Sequence, residues 1–319
     1  MTISPRFVDL VDEYLVYRRG LGFDLESPRW LLRDFARHAD RIGHRGAVTI
    51  DLAVQWALSS RSSDPVQAAR RLSVVRQFAR HRAVVDPATE IPPVGLLGHV
   101  PRRRGQPHIY SDAEIASLLR QARLLLPRRG LRPRTYIAFF SLLASTGLRL
   151  SEACRLTIDD VDLVEGILTI REGKFRKSRL VPLHSTATHA LTRYAAYRDA
   201  CHGASRSGCF FRTDRTPALA LAAVEKTFSR LRDRLGWTAQ GRARRPRIHD
   251  LRHTFAVRRL LRWYEDGVDV DHRVLALSTY LGHAKVTDTY WYLSAVPELM
   301  ALTAQRFERF ARPEQRGTS

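Results

Sequence analysis

The chain has 319 residues, enough for two domains that each bury a core, and its 53 Lys and Arg against 32 Asp and Glu give a net charge of +21, carried mostly by Arg. A field of that sign implies a polyanionic partner, most commonly nucleic acid, although an Arg-rich composition inherited from a GC-rich genome would also raise the count. With no run of eighteen apolar residues and no signal-peptide pattern at Met1-Thr2-Ile3-Ser4, a helical membrane span is excluded and a cytoplasmic protein expected; Cys154, Cys201 and Cys209, odd in number and without C-x-x-C spacing, are expected as thiols rather than a disulfide framework or a zinc site.

In chain order, Phe7, Leu10, Val11, Tyr14 and Leu15 recur at helical spacing and stop at Gly20-Leu21-Gly22. Ser27-Pro28 opens a second helix through Trp30, Leu31 and Phe35. Residues 51–59 and 64–81 supply two more, the last with Leu72, Val75 and Phe78 inside and Arg70, Arg71, Arg76 and Arg80 outside. Residues 1–85 are therefore expected to form a small all-helical domain. Residues 86–107 carry five prolines and Arg102-Arg103-Arg104, so they are expected as an extended basic linker. Ser111-Asp112-Ala113-Glu114 reads as a capping box that starts a second domain, 108–319. An apolar helix through Tyr136, Phe139, Phe140, Leu142 and Leu143 stops at Gly147, which presents Arg149 in a turn before a short helix from Ser151. Over 164–183 the period changes: Ile167-Leu168-Thr169-Ile170 and Arg179-Leu180-Val181-Pro182-Leu183 flank a polar turn and read as a hairpin, the one convincing strand pair. Helices resume at 185–198 and 219–235, and Arg242 to Arg247 lead into a helix that carries His249 and Arg252.

His249 and Arg252, three apart, lie on one helical face, where both can reach a single anion. About a hundred residues upstream stands Thr146-Gly147-Leu148-Arg149-Leu150-Ser151-Glu152, and downstream come Leu281-Gly282-His283 and, nine residues further, Tyr292. Together with Gly173-Lys174 in the hairpin turn, this ordered set resembles the tyrosine recombinases, the phage integrase family, over roughly residues 108–295. A second L-G-H, Leu97-Gly98-His99, has no H-x-x-R before it and is followed nine residues on by His108, so it reads as coincidence.

The resemblance implies a mainly α fold with a small β-sheet or hairpin: an N-terminal helical core-binding (SAM-like) domain that clamps one side of a duplex, and a C-terminal catalytic domain of the DNA breaking-rejoining fold. It implies a site-specific DNA recombinase acting through a covalent 3′-phosphotyrosyl intermediate, for integration, excision or transposition, without cofactor or metal. Its expected partners are double-stranded DNA and further copies of itself, as a tetramer on DNA, with related recombinases as possible companions and no membrane. Arg149 and Arg252 would neutralise the phosphate, Tyr292 would attack it, His249 would take the phenol proton, His283 would bind alongside the arginines, and Lys174 would protonate the leaving 5′-oxygen. Glu152 is expected to orient its neighbours. Arg102, Arg103, Arg104, Arg176, Lys177, Arg179, Arg244 and Arg245 are the expected DNA contacts, with Arg176, Lys177 and Arg179 rivals to Lys174 for the acid role. Tyr290 and Tyr292 point about 200° apart on a helix, so at most one faces the site, and the family spacing selects Tyr292. His253, Cys154 and Tyr280 are expected as packing. An apolar helix from Pro297 would dock on its own domain or on a neighbouring copy. A type IB topoisomerase and a DNA-binding regulator without catalysis are the alternatives.

Overall fold

A computed structural model describes residues 5–23, 25–60, 65–98, 106–171, 178–203, 208–239, 245–283 and 285–295, and the statements below concern these. The chain divides into two compact units, 1–104 and 105–319. In the first, α1 (Phe7–Gly20), α2 (Glu26–Arg41), α3 (Ile50–Leu58) and α4 (Pro65–Arg82) enclose a core of Phe7, Leu10, Val11, Tyr14, Leu15, Phe35, Trp56, Leu72, Val75 and Phe78. Arg6, at the N-cap of α1, offers no side-chain acceptor. Asp40 of α2 takes over, accepting from the Phe7 and Val8 amides at 3.0 and 3.2 Å, so the cap is supplied by tertiary contact.

Two of the four arginines expected on the outside of α4 are buried. Arg70 and Arg80 are exposed, but Arg71 lies over the Trp56 ring at 3.9 Å and donates to the Trp56 carbonyl at 2.8 Å. Arg76 donates to the Pro92 and Pro93 carbonyls at 2.7 and 2.8 Å, which holds that part of the proline-rich segment against α4. A guanidinium can enter a core when a ring face and carbonyl oxygens replace its water, a condition that helical spacing does not reveal.

The second unit contains α5 (Asp112–Arg123), α6 (Leu131–Thr146), α7 (Leu150–Arg155), a 3₁₀ turn at Ile158–Asp160, strands β1 (Val161–Asp162), β2 (Ile167–Ile170) and β3 (Arg179–Pro182), then α8 (Ser185–His202), α9 (Leu221–Arg234), α10 (Asp250–Glu265), α11 (Val270–Leu281) and α12 (Thr287–Ala295). The fold is mainly helical with a small sheet, as the sequence implies. The capping box at Ser111 forms as read, with Ser111 Oγ accepting from the Glu114 amide and Glu114 Oε2 from the Ser111 amide. The hairpin pairs Leu168 with Val181 and Ile170 with Arg179, and Leu168, Ile170 and Val181 face the core. A third strand, β1, adds to its edge; two residues long, it is too short to show a period. Helix α6 runs through the middle, buried at Leu131, Tyr136, Ala138, Phe139, Phe140, Leu142 and Leu143 and packed on α5, α8 and α10. Its first amides are capped from afar by Asp214. A separate cluster, Ala256, Val257, Leu260, Val270, Val274, Leu277, Leu281 and Tyr292, locks α10, α11 and α12 together. Among the described residues no helix is long and apolar enough to cross a membrane.

Candidate active site

Helix α6 ends at Gly147 with φ +63, a left-handed conformation that glycine adopts without steric cost, and an added Cβ would stand 2.6 Å from the Phe255 ring. The turn aims the Gly147 carbonyl at Arg252, whose Nη1 donates to it at 2.7 Å. Helix α11 ends the same way at Gly282, φ +68, where a Cβ would fall 2.7 Å from the Arg179 guanidinium.

The last carbonyls of a helix lack partners of their own and form the negative end of its dipole. At α11 three consecutive ones each accept from an arginine. Tyr280 O takes Arg179 Nε at 2.8 Å, Leu281 O takes Arg252 Nη2 at 2.8 Å, and Gly282 O takes Arg149 Nη2. Under this row lies Glu152, 4% exposed. Its Oε1 accepts from Arg149 Nη1 at 2.7 Å and Arg179 Nη1 at 3.1 Å, while its Oε2 accepts from Arg179 Nη2 at 2.8 Å and the Arg149 amide at 3.0 Å. Burial alone would raise the Glu152 pKa, but the Arg179 hydrogen bonds and the charges of Arg179 and Arg149 outweigh it and hold the carboxyl down at about 2. Three guanidiniums against one carboxylate leave a surplus of positive charge suited to a phosphate. Arg252, 3% exposed, has its pKa lowered to about 10 by burial and then by Arg149, and it stays charged at neutral pH.

Tyr292 is 2% exposed and Tyr290 41%, so α12 turns Tyr292 inward. Its Oη lies 3.1 Å from His253 Nδ1. The His283 ring stacks near the phenol at 6.3 Å between centroids, with His283 Nδ1 held 2.7 Å from Thr289 Oγ1. His249, just ahead of α10, meets the His253 ring edge to face at 4.8 Å. His249 is exposed at its rim, yet the protein packed around it, followed by Arg252 and Arg247, lowers its pKa to about 4, so the imidazole is neutral at pH 7.

The structure thus gathers Arg149, Glu152, Arg252, His249, His283 and Tyr292 on α7, α10, α11 and α12 and the turns between them. Arg179, grouped by sequence with the DNA contacts, is instead turned inward onto Glu152 and Tyr280, its side chain 10% exposed. The period-2 pattern could not show this, because Arg179 begins β3 directly behind the Glu152 carboxylate. Arg245 is exposed and paired with Asp233 at 2.7 Å. Lys174, Arg176, Lys177, Arg102, Arg103, Arg104, Arg244 and the helix from Pro297 lie outside the described residues. His253, read as core packing on another face, touches the Tyr292 hydroxyl. The faces of Arg252 and His253 both border the site because α12 packs on the second, and the signal that would have found it is the i, i+4 pair His249 and His253. Cys154 is buried, with its thiol pKa raised to about 12, and Tyr280 stacks on Phe255, both as packing. Among the described residues no group of three or more His, Cys, Asp or Glu could hold a metal ion.

Residues 114–298 match the sequence model of the phage integrase family. Over 310 residues the chain is 42% identical to y4rB of Sinorhizobium fredii, put forward by name as an integrase/recombinase, covering 95% of this chain and 97% of that one. It is 31% identical over 295 residues to the tyrosine recombinase XerD of Mycobacterium tuberculosis, covering 88% and 90%. The integrase of transposon Tn1549, solved in complex with transposon right end DNA, has the same fold, with a TM-score of 0.66 at 18% identity over 97% of this chain and 100% of that one.

Proposed function

Since the chain belongs to the phage integrase family and is a tyrosine recombinase, we propose that it cuts and rejoins double-stranded DNA at specific sites through a covalent 3′-phosphotyrosyl bond to Tyr292, in the integration, excision or transposition of a mobile element. The observation that carries this reading is the meeting of Arg149 and Arg252 on adjacent carbonyls of one helix end, beside the inward-turned Tyr292. Charge builds on the non-bridging phosphate oxygens as the phenol attacks. Two fixed cations meet it, each worth about two to three powers of ten in rate. Glu152 and Arg179 keep Arg149 from swinging away. His283 adds a hydrogen bond to the phosphate, and Lys174 supplies the proton for the leaving 5′-oxygen. Because the phosphotyrosyl bond conserves the energy of the one it replaces, rejoining needs no nucleotide.

The partners in this reading are the duplex and three further copies of the chain, acting in the cytoplasm, with the N-terminal helical unit contributing DNA contacts. The DNA-bound form of the Tn1549 integrase and the name of y4rB support the mobile-element role. The test uses nicked duplexes tiled across the DNA that flanks the chain's own gene. The unaltered chain and Tyr290→Phe are expected to form a denaturant-resistant protein–DNA adduct, and Tyr292→Phe none. Equal adduct from Tyr292→Phe would remove the assignment. Relaxation of a plasmid that carries no flanking sequence, by a monomer, would favour a topoisomerase instead.

A further inference from the structure

We propose that His253 is a further catalytic residue, the base that takes the Tyr292 proton during cleavage and returns it during rejoining; this rests on the reading of Tyr292 as nucleophile. His253 Nδ1 stands 3.1 Å from the Tyr292 hydroxyl, within the reach that proton transfer requires. The contact is built into the fold. α10 presents His253 toward α12, where its ring lies against both Trp291 (5.6 Å, 59°) and Tyr292 (5.5 Å, 62°), and His249 abuts it from the preceding turn. With Tyr292 2% exposed, bulk water has little access to the phenol, and His253 Nδ1 is the base within hydrogen-bond reach of it.

Two further imidazoles border this pair: His283, whose Nδ1 is engaged by Thr289 Oγ1, and His249. Surrounding protein, Arg252 and Arg247 depress the basicity of His249, which makes it a weak acceptor at neutral pH and suits it to hydrogen-bonding. Around His253 stand the His249 ring on the preceding turn and, on α12, the Trp291 ring and the Tyr292 phenol. In the transfer Nδ1 accepts the phenol's hydrogen bond and then its proton.

The step balances without a further reagent. In cleavage the Oη–H bond breaks and Nδ1–H forms while Oη–P forms; P–O5′ breaks and the 5′-oxygen gains a proton from the general acid, assigned above to Lys174. In rejoining the 5′-hydroxyl gives its proton back to that acid as O5′–P forms. Oη then leaves phosphorus and recovers the proton from Nδ1.

The experiment measures single-turnover adduct formation on the nicked duplex for His253→Asn and His253→Ala, with DNA affinity and thermal melting recorded alongside. Asn places an amide near Nδ1, so it can hold the phenol but cannot take its proton. Both variants are expected to slow adduct formation by about 10² to 10⁴-fold with DNA affinity unchanged. Replacing Tyr292 by 3,5-difluorotyrosine, whose phenol is far more acidic than that of tyrosine and depends less on a base, should recover about ten-fold of that loss. Wild-type rates in His253→Asn, or a loss that the fluorinated phenol does not relieve, would overturn the proposal. Adduct formation by Tyr292→Phe would instead overturn the nucleophile assignment on which it rests, so the two failures are told apart.

Discussion

Glu152 shows most directly what a single side chain does in this site. Its carboxylate is enclosed by Arg149 and Arg179, and its pKa falls from the usual 4.5 to about 2. In the unfolded chain it protonates near 4.5, whereas in the folded chain it stays ionised until about pH 2. The stability it contributes is therefore complete above pH 4.5 and lost as the pH falls from 4.5 toward 2. At about 1.4 kcal/mol per unit the shift is worth about 3 kcal/mol. Urea unfolding of the intact chain should lose about that much between pH 5 and pH 2.5 in excess of Glu152→Gln, and parallel acid profiles for the two would refute the pairing. Single side chains were also where sequence reading reached furthest and fell short most clearly. The spacing from His283 selects Tyr292 over Tyr290, and burial of the first and exposure of the second agree with it. Arg71, Arg76, Arg179 and His253 could not be placed, because each is held by something distant in sequence: a tryptophan ring, proline carbonyls, a carboxylate 27 residues away and a phenol 39 residues away.

Among the elements, α11 does most for the site through its last three carbonyls. Arg179 joins two of the parts, since Nε is bound to Tyr280 O and both terminal nitrogens to Glu152, a fork that an ammonium cannot reproduce. Arg179→Lys should therefore let Glu152 and Arg149 shift and reduce adduct formation by about 10²-fold, a loss typical of small misplacements of reacting groups. A residue that contacts DNA behaves otherwise: its loss weakens binding and flattens the salt dependence. Unchanged affinity with slowed cleavage is the expected pair, and the reverse pair would return Arg179 to the DNA interface. Helices and hairpin were legible because their apolar periods are long enough to register. β1 and the cap of α6 by Asp214 were not, since a two-residue strand has no period and a cap 83 residues distant leaves no local trace.

For the molecule as a whole, the net charge of +21 overstates the field offered to a polyanion. Arg71, Arg76, Arg198 and Arg252 are buried and held by carbonyls, rings or carboxylates, so the interface must draw on the exposed cations. Enough of these remain for six or more phosphate contacts, and affinity for a duplex of unrelated sequence should fall by about 10³-fold or more between 50 and 200 mM salt, read by fluorescence anisotropy. A salt-insensitive affinity would mean that binding does not rest on charge. The cations of the proposed reaction centre answer to a different constraint. Three guanidiniums hang from oxygen atoms that every amino acid possesses, so replacing the side chains of residues 280 or 281 leaves the hooks in place. What descendants must keep is the path of the backbone around two glycines. Lineages can diverge widely in residue identity while the grip on the arginines is passed down unaltered.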